Sequence, residues 1–446
     1  MGTPRRGAAE FRSAAIRSRR RRDLAPGRAT FPRMTLIDAS PAAPPRPRHP
    51  IPPRPDPGAR RLALALESAL GTPFSPGNRV DVLRNGDQIF PAMLDAIAAA
   101  RRRIEFLTFV YWQGEIAERF AEALAARARD GVETLVVLDG FGARPMSSNL
   151  VTLMQDAGVQ VRWFRPLPRL KLWQSDNRTH RKALIIDGRV GFTGGVGIAA
   201  EWEGNADGPD HWRDTHFRIR GPAVAGLRAA FYEDWMESGG DLGPLFTVAP
   251  TPTRVRPGVD ETGGTLAQVA PAGASVGLNS IARLHNALIR LARRRLRICT
   301  PYFSPDQTMA DLLEAAAKRG VEVQVMMPGP IIDKRLSELA GAEHWERLMA
   351  AGVTLMRYQP TMLHAKLITI DGRLASIGSA NFNQRSRLKD HEVAVNLLDA
   401  EMCALLDGHF DQDLELCEPV CPRRWGRRSM LRRALEAAAS PLRSQA

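Results

Sequence analysis

Two copies of one short element contain the residues best suited to chemistry. The copies lie at residues 180–188 and 364–372, and both read H-x-K-x4-D-G. On a β-strand, residues two apart share a face, so the histidine and lysine of each copy project together. Two imidazoles and two ammonium groups around one point suit phosphodiester transfer without a metal. The residues concerned are His180, Lys182, His364 and Lys366.

In such a reaction one histidine attacks phosphorus and forms a phosphohistidine. The other protonates the leaving alkoxide and then deprotonates the incoming hydroxyl. A third group should orient each imidazole, and Asp214 and Glu392 follow the two copies at matching places. Asp187 and Asp371 open Asp-Gly pairs that suit a tight hairpin turn, so we interpret both as structural residues.

The surrounding sequence repeats at low resolution, which predicts the architecture. In each half an apolar strand, an amphipathic helix, a glycine and a second apolar strand precede the motif. The pattern predicts an α/β protein with two similar βαβα-type halves, whose mixed sheets pack pseudo-symmetrically around one active site. The predicted strands are 106–112, 135–138, 298–303 and 323–327, and the predicted helices are 116–128 and 309–318.

The basic charge is concentrated at the two ends of the chain. The net charge is +14, but residues 1–61 carry +11 and residues 423–446 carry +6, which leaves −3 for the residues between. A slightly acidic body is poorly suited to neutralising nucleic-acid phosphates. No uninterrupted apolar stretch approaches the roughly 18 residues of a membrane-spanning helix. The four cysteines have no paired zinc spacing, so we expect no metal and no structural disulfide.

Composition also predicts the domain boundaries. Residues 1–61 form an Arg- and Pro-rich extension that cannot bury a core and should be disordered, and we favour Met34 as the translation start. The remaining segments are a first half at 62–243, a linker at 244–264, a second half at 265–422 and a basic amphipathic tail at 423–446.

Over about residues 75–420 the chain resembles the phospholipase D superfamily with its paired motifs. Several stretches look like those of bacterial cardiolipin synthases, in a short form without N-terminal transmembrane helices. These are Gly-Phe-Thr-Gly-Gly from Gly191, Trp212-Arg-Asp-Thr215, Asp234-Trp235, Thr300-Pro-Tyr-Phe303 and Gly378-Ser-Ala-Asn381.

The resemblance implies a phospholipase D fold and a cofactor-independent phosphatidyl transfer to the hydroxyl of phosphatidylglycerol or a related alcohol. It assigns His180 as nucleophile and His364 as acid and base, and it makes Ser379 and Asn381 phosphate-site residues. Gly195 ends a returning strand with small residues, so we expect backbone to approach the substrate there.

One departure from the family pattern concerns the phosphate site. Aligned on Asp187 and Asp371, the partner of Asn381 is Gly197, where the family commonly has asparagine. The first half therefore lacks one expected phosphate donor, which could shift the choice of acceptor or lower activity.

Substrate and partners follow from weaker signals. We expect anionic phospholipids as substrates and a cytoplasmic protein peripheral on the inner face of the cell membrane, with an unknown oligomeric state. Residues 164–173 mix apolar and basic side chains and could touch the bilayer or be a packed loop. Residues 425–442 could form a basic helix on the membrane, with Trp425 and Leu431 on its apolar face, or a solvated tail. A phospholipid hydrolase, a nuclease and a non-catalytic lipid-binding scaffold remain alternatives.

Overall fold

The computed structural model describes residues 57–166, 176–243, 264–273 and 279–439. Several predicted segments lie outside these ranges. They are residues 1–56 of the N-terminal extension, residues 167–175, which include most of the predicted bilayer contact, residues 244–263 of the linker and residues 440–446 of the tail. Within the described ranges, no helix combines the length and the apolar character that a membrane crossing requires.

The described strands form one mixed sheet of fifteen strands, in the order β15-β11-β10-β9-β12-β13-β14-β8-β1-β7-β6-β5-β2-β3-β4. Reading outward from the antiparallel pair β1 and β8, the first seven strands of each half have the same order, and β15 adds one strand to the second half. The predicted α/β class and its two similar halves are confirmed, and the two predicted sheets are joined edge to edge. The strands are β1 Ser75–Arg84, β2 Arg103–Thr108, β3 Glu133–Asp139, β4 Gln160–Phe164, β5 Ala183–Ile186, β6 Val190–Gly194, β7 Thr215–Arg220, β8 Thr265–Ala272, β9 Arg295–Cys299, β10 Glu322–Pro328, β11 Thr354–Tyr358, β12 Leu367–Ile370, β13 Leu374–Gly378, β14 Glu392–Leu398 and β15 Cys417–Pro419.

Helices cover the sheet and bury their apolar faces in clusters with it. The middle parallel strands β3 and β10 are rich in apolar residues and mostly buried, as expected for strands covered on both faces. The helices are α1 Pro57–Leu70, α2 Asn85–Ala98, α3 Glu115–Arg129, α4 Ser148–Asp156, α5 Val224–Glu237, α6 Ser280–Leu291, α7 Gln307–Lys318, α8 Arg335–Gly341, α9 Trp345–Ala350, α10 Gln384–Leu388, α11 Ala400–Leu414, α12 Pro422–Gly426 and α13 Met430–Ala439, with 3-10 turns at Ala200–Trp202 and Ala342–His344.

The glycines predicted to stop the helices do so. Gly131 (φ 84°) and Gly320 (φ 86°) follow α3 and α7, and Gly158 (φ 93°) and Gly352 (φ 98°) follow α4 and α9. A residue without Cβ adopts this left-handed conformation at little cost, so the chain can leave the helix and enter the parallel strand.

Helix α1 corrects the expected start of the folded chain. It begins at Pro57, so residues 57–61 are helical and not part of an unstructured extension. Leu62, Leu66 and Leu70 are buried in the same apolar cluster as Leu284 of α6. The apolar residues of α1 recur once per turn, and their burial against the second half stabilises the helix.

The C-terminal tail also differs from the single amphipathic helix that its sequence suggests. Two helices, α12 and α13, replace it. Trp425, expected on the membrane-facing side, is buried against Trp345, with ring centroids 4.9 Å apart. Leu431 remains 71% exposed. The Trp425 indole packs against Trp345 of α9. The spacing of residues within the tail could not predict a contact with this distant segment.

Candidate active site

Each candidate histidine lies just before a strand of its own half and is hydrogen-bonded to the backbone of the other half. The amide of His180, ahead of β5, donates to the carbonyl of His391 (2.8 Å). The amide of His364, ahead of β12, donates to the carbonyl of Arg213 (2.7 Å). Both motif loops are therefore held where the two halves meet, and the two copies converge on one site.

The carboxylate beside each imidazole comes from the opposite half. His180 Nδ1 lies 3.0 Å from Oε1 of Glu392, the first residue of β14. His364 Nδ1 lies 2.7 Å from Oδ2 of Asp214, which directly precedes β7. A carboxylate at Nδ1 keeps the proton on that nitrogen and leaves Nε2 for the substrate. Because the pairing is reciprocal, neither half alone holds an oriented histidine.

Both motif lysines are buried beside their own histidines. Lys182 Nζ donates to the carbonyl of His180 (2.9 Å) and lies 5.5 Å from the centre of the Phe109 ring. Lys366 Nζ also donates to the carbonyl of its histidine, His364, and lies 3.1 Å from Nε2 of that ring. The two ammonium groups thus lie beside the imidazoles in a buried site.

In the second half, hydroxyl groups hold the orienting carboxylate. Ser379 Oγ donates to Glu392 Oε2 (2.5 Å), and Ser386 Oγ donates to Glu392 Oε1 (2.6 Å). Ser379, expected at the phosphate, is thus fully buried against this carboxylate. Asn381 is also buried, and among the described residues its Oδ1 has no hydrogen-bond partner. Ser379 therefore uses its hydroxyl to hold Glu392, whereas the side-chain oxygen of Asn381 remains unpaired within the described ranges.

The first half achieves the same support with different residues. A Cβ at Gly195 would lie 2.2 Å from Oδ1 of Asp214, so the glycine makes room for this carboxylate. The second hydrogen bond to Asp214 comes from Trp202, whose Nε1 donates to Oδ2 (2.9 Å). Sequence inspection missed Trp202 and Ser386, since neither lies in the repeated motif.

Position 197 lacks the side-chain donor that an asparagine would provide, and the packing around it leaves room only for glycine. A Cβ there would lie 2.6 Å from Cβ of Val110 and 3.2 Å from Cζ3 of Trp202. The volume that an asparagine would need is filled by the side chain of Val110 and the edge of the indole. This difference between the two halves is therefore built into the packing around Gly197.

The two motif aspartates lie in turns and bind backbone. Asp187 and Asp371 have positive φ angles of 52° and 54°, as the predicted tight hairpins require. The Asp187 carboxylate accepts hydrogen bonds from the amides of residues 101–103, and the Asp371 carboxylate accepts them from residues 293–295. Each aspartate ties its hairpin to the start of the neighbouring strand.

Known proteins similar to this chain point to one family. The family model described as "Cardiolipin synthase, PLD-like domain" matches residues 93–207 and 286–414. Cardiolipin synthase A of Pseudomonas aeruginosa is 34% identical over 356 residues, 79% of this chain and 71% of that protein. Cardiolipin synthase 1 of Bacillus anthracis is 30% identical over 395 residues, 85% of this chain and 77% of that protein. The chain belongs to the cardiolipin synthase family.

The fold agrees with this membership. A phosphatidylserine synthase of Haemophilus influenzae matches with a TM-score of 0.65 at 14% identity, covering 86% of this chain and 99% of that one. At this identity the likeness concerns the fold alone, and it confirms the phospholipase D fold that the resemblance implied.

Burial and the mutual repulsion of the cationic groups dominate the electrostatics of this candidate site. Burial, reinforced by Lys366, lowers the pKa of Lys182 to about 7. Burial also lowers the pKa of Lys366 to about 8 and, with Lys366, the pKa of His364 to about 3. Burial followed by Lys182 lowers the pKa of His180 well below its ordinary value. A bound phosphodiester would supply the negative charge that restores these protons.

The two orienting carboxylates differ in the same environment. Burial raises the pKa of Glu392 to about 7, although Lys182 and two hydroxyls oppose the shift. Burial also acts to raise the pKa of Asp214, but His364 and Lys366 outweigh it and the pKa is lowered. Asp214 is thus the firmly ionised partner of His364, whereas the proton balance of the pair His180 and Glu392 changes near neutral pH.

Aromatic rings and one loop border the His364 side of the site. The rings of Trp202, Trp212 and Tyr302 lie 5.1, 5.3 and 6.4 Å from the His364 ring. Tyr302 donates its hydroxyl hydrogen to Asp333 (2.6 Å), and Lys334 Nζ lies 5.1 Å from the centre of the tyrosine ring. The loop that contains Asp333 and Lys334 was not predicted, because it belongs to neither motif.

Proposed function

We propose that this chain transfers a phosphatidyl group between phospholipids through a phosphohistidine, as a cardiolipin synthase does. The observation that carries the proposal is the reciprocal pairing of each motif histidine with a carboxylate of the other half. Two imidazoles with fixed tautomers can divide the work between a nucleophile and an acid–base group. The relatives named cardiolipin synthases support phosphatidyl transfer as the reaction.

In the first step, Nε2 of His180 attacks phosphorus and forms a P–N bond while the P–O bond to the leaving alcohol breaks. His364 donates its Nε2 proton to the departing alkoxide. Its low pKa in the free protein rises once the anionic lipid is bound, because the phosphate offsets the neighbouring ammonium charge. His364 thereby becomes an acid only in the presence of substrate.

In the second step, His364 takes the proton of the acceptor hydroxyl, whose oxygen attacks phosphorus as the P–N bond breaks. His180 is released unchanged. Lys182, Lys366 and the side-chain NH2 group of Asn381 hold the non-bridging oxygens in both steps. Asp214 and Glu392 remain at Nδ1 throughout, so neither ring turns between the two half-reactions.

Product analysis tests the proposal directly. The purified protein is incubated with phosphatidylglycerol, with and without glycerol or phosphatidylethanolamine, and the lipids are identified by mass spectrometry. We expect cardiolipin and free glycerol, with His180→Ala and His364→Ala inactive. Phosphatidic acid as the sole product would favour the phospholipid hydrolase alternative. Cleavage of oligonucleotides but of no lipid would favour the nuclease alternative and contradict the proposal.

We also propose that the protein acts as a peripheral protein on the inner face of the cell membrane and that residues 164–173 contact the bilayer. The mixture of leucine, tryptophan and arginine in this segment supports a surface contact. Replacing Leu170, Leu172 and Trp173 together with serine should weaken vesicle binding and lower turnover of bilayer lipid. Unchanged binding and turnover would eliminate this contact.

A further inference from the structure

An arginine-lined pocket of about 230 Å³ lies at the C-terminal helices. None of its lining residues belongs to the candidate active site. The volume is below the roughly 300 Å³ at which pockets begin to enclose a whole drug-sized ligand, and it suits a compact anionic group. The lining includes Arg357, Arg424, Arg428, Arg432, Trp425 and Cys421.

Three of these arginines are held in place by carboxylates. Arg428 pairs with Glu436 and Glu346, and Arg432 pairs with Glu436. Their guanidinium groups lie 5.0 and 5.1 Å from the centre of the buried Trp425 ring, so both arginines contact the same indole. Glu338 bridges the third, Arg357, to Arg432.

The fourth arginine is available to a ligand. Arg424 is exposed and, within the described residues, forms no salt bridge. Arg423 on α12, Arg433 on α13 and Arg427 between these two helices add further positive charge, and all three are exposed. The carboxylates around the pocket are therefore outnumbered, and the surface attracts anions.

Exposed apolar side chains accompany this positive surface. On α13, Met430 is 81% exposed, Leu431 is 71% exposed and Leu435 is 49% exposed. Apolar side chains next to arginines favour a ligand that offers both an anionic headgroup and an apolar layer. A free phosphate ion would use the arginines and leave the apolar side chains in water.

We propose that this pocket binds the phosphate group of an anionic phospholipid while Met430, Leu431 and Leu435 enter the bilayer. It is a second lipid site in addition to the candidate active site. The proposed function suggests the lipid class, but binding at this pocket requires no turnover.

The position of the pocket connects it to the mouth of the active site. Helix α13 packs on α8 through Ala439 and Ala340 and through the ion pair of Arg432 with Glu338. Helix α8 begins at Arg335, directly after the loop with Asp333 and Lys334. A lipid-bound α13 would thus hold the loop that borders His364 against the membrane surface.

Flotation with vesicles tests the site with the full chain. One vesicle set is pure phosphatidylcholine, and the other mixes phosphatidylcholine and phosphatidylglycerol in equal parts. We expect the wild-type protein to float only with the mixed vesicles. Arg424→Gln should weaken binding about fivefold, and Arg424→Gln combined with Leu431→Ser should weaken it further. Both variants should retain the circular dichroism spectrum and the turnover of a soluble short-chain phosphatidylglycerol.

The matched control is Arg129→Gln, which removes the same charge from the exposed end of α3 in the first half. It should bind mixed vesicles as the wild type does. Equal loss in the control and in Arg424→Gln, or full binding by the double variant, would overturn the proposal. Equal flotation with the pure and the mixed vesicles, together with binding of inorganic phosphate that Arg424→Gln removes, would also overturn it, because the pocket would then be a free-anion site. An inactive His180→Ala protein that still floats would separate this site from the proposed function.

Discussion

The change Glu392→Gln tests how the candidate nucleophile is oriented. Glu392 is fully buried, lies 3.0 Å from Nδ1 of His180 and accepts hydrogen bonds from two serine hydroxyls. Glutamine has the same shape but loses the charge that keeps a proton on Nδ1. A hydrogen bond to an ionised group contributes about 1.5–3 kcal/mol, and a wrong histidine tautomer adds to the loss, so kcat should fall by about 10²- to 10⁴-fold.

Although kcat should fall, the stability of the folded protein should stay the same or increase above neutral pH. Because burial raises the pKa of Glu392 from its ordinary value of 4.5 to about 7, the folded protein binds this proton more tightly than the unfolded chain does. Its contribution to stability is present at acid pH and is lost as the pH rises through about 7, a change of about 3 kcal/mol. Above neutral pH, Glu392→Gln should therefore unfold at the same or a higher temperature than the wild type.

The assay combines kcat for phosphatidylglycerol with thermal unfolding followed by circular dichroism. Glu105→Gln is the control, since Glu105 is equally buried but pairs with Arg228. It should lower the unfolding temperature and leave kcat nearly unchanged. A Glu392→Gln protein with wild-type kcat would refute the reasoning, as would one whose lost activity is explained by unfolding.

Three further outcomes follow from the same geometry. Trp202→Phe removes the indole donor to Asp214 and should lower kcat about tenfold at unchanged KM, whereas a change confined to KM would contradict the role. Gly197→Asn should cost about 1–3 kcal/mol of unfolding free energy because its side chain overlaps Val110, and adding Val110→Ala should recover part of that loss; full stability of the single variant would show that the space is not filled. Since the pKa of Lys182 is about 7, kcat/KM should decline at alkaline pH, and Lys182→Arg, whose charge persists, should flatten that decline; identical pH profiles would exclude Lys182 as its source.

Local pattern was enough to predict the elements and the reactive groups. The strand period places His180 and Lys182 on one face, and the repeated glycine stops mark the helix ends. The matching positions of Asp214 and Glu392 in the repeat identified both carboxylates that contact the imidazoles. Repetition made these inferences possible, because each half served as a check on the other.

Contacts between distant segments could not be predicted in the same way. Trp202 ends a 3-10 turn, and its indole donates to Asp214, a contact that no sequence period indicates. The sequence pattern of the tail predicts Trp425 on the apolar face of a membrane helix. In the structure Trp425 is buried against Trp345, which comes from another part of the chain. Gly197 was recognised as a departure, but only the packing of Val110 explains why a larger residue does not fit.

Trapping the covalent intermediate tests the central claim most directly. His364→Ala protein, which keeps the nucleophile but lacks the acid and base, is incubated with phosphatidylglycerol containing an activated leaving group, denatured and digested for mass spectrometry. If His180 is the nucleophile of a site shared by both halves, we expect an acid-labile phosphatidyl adduct on His180 and none in His180→Ala protein. An adduct on His364 in wild-type protein, or an adduct that persists in His180→Ala, would contradict the assignment of the two histidines.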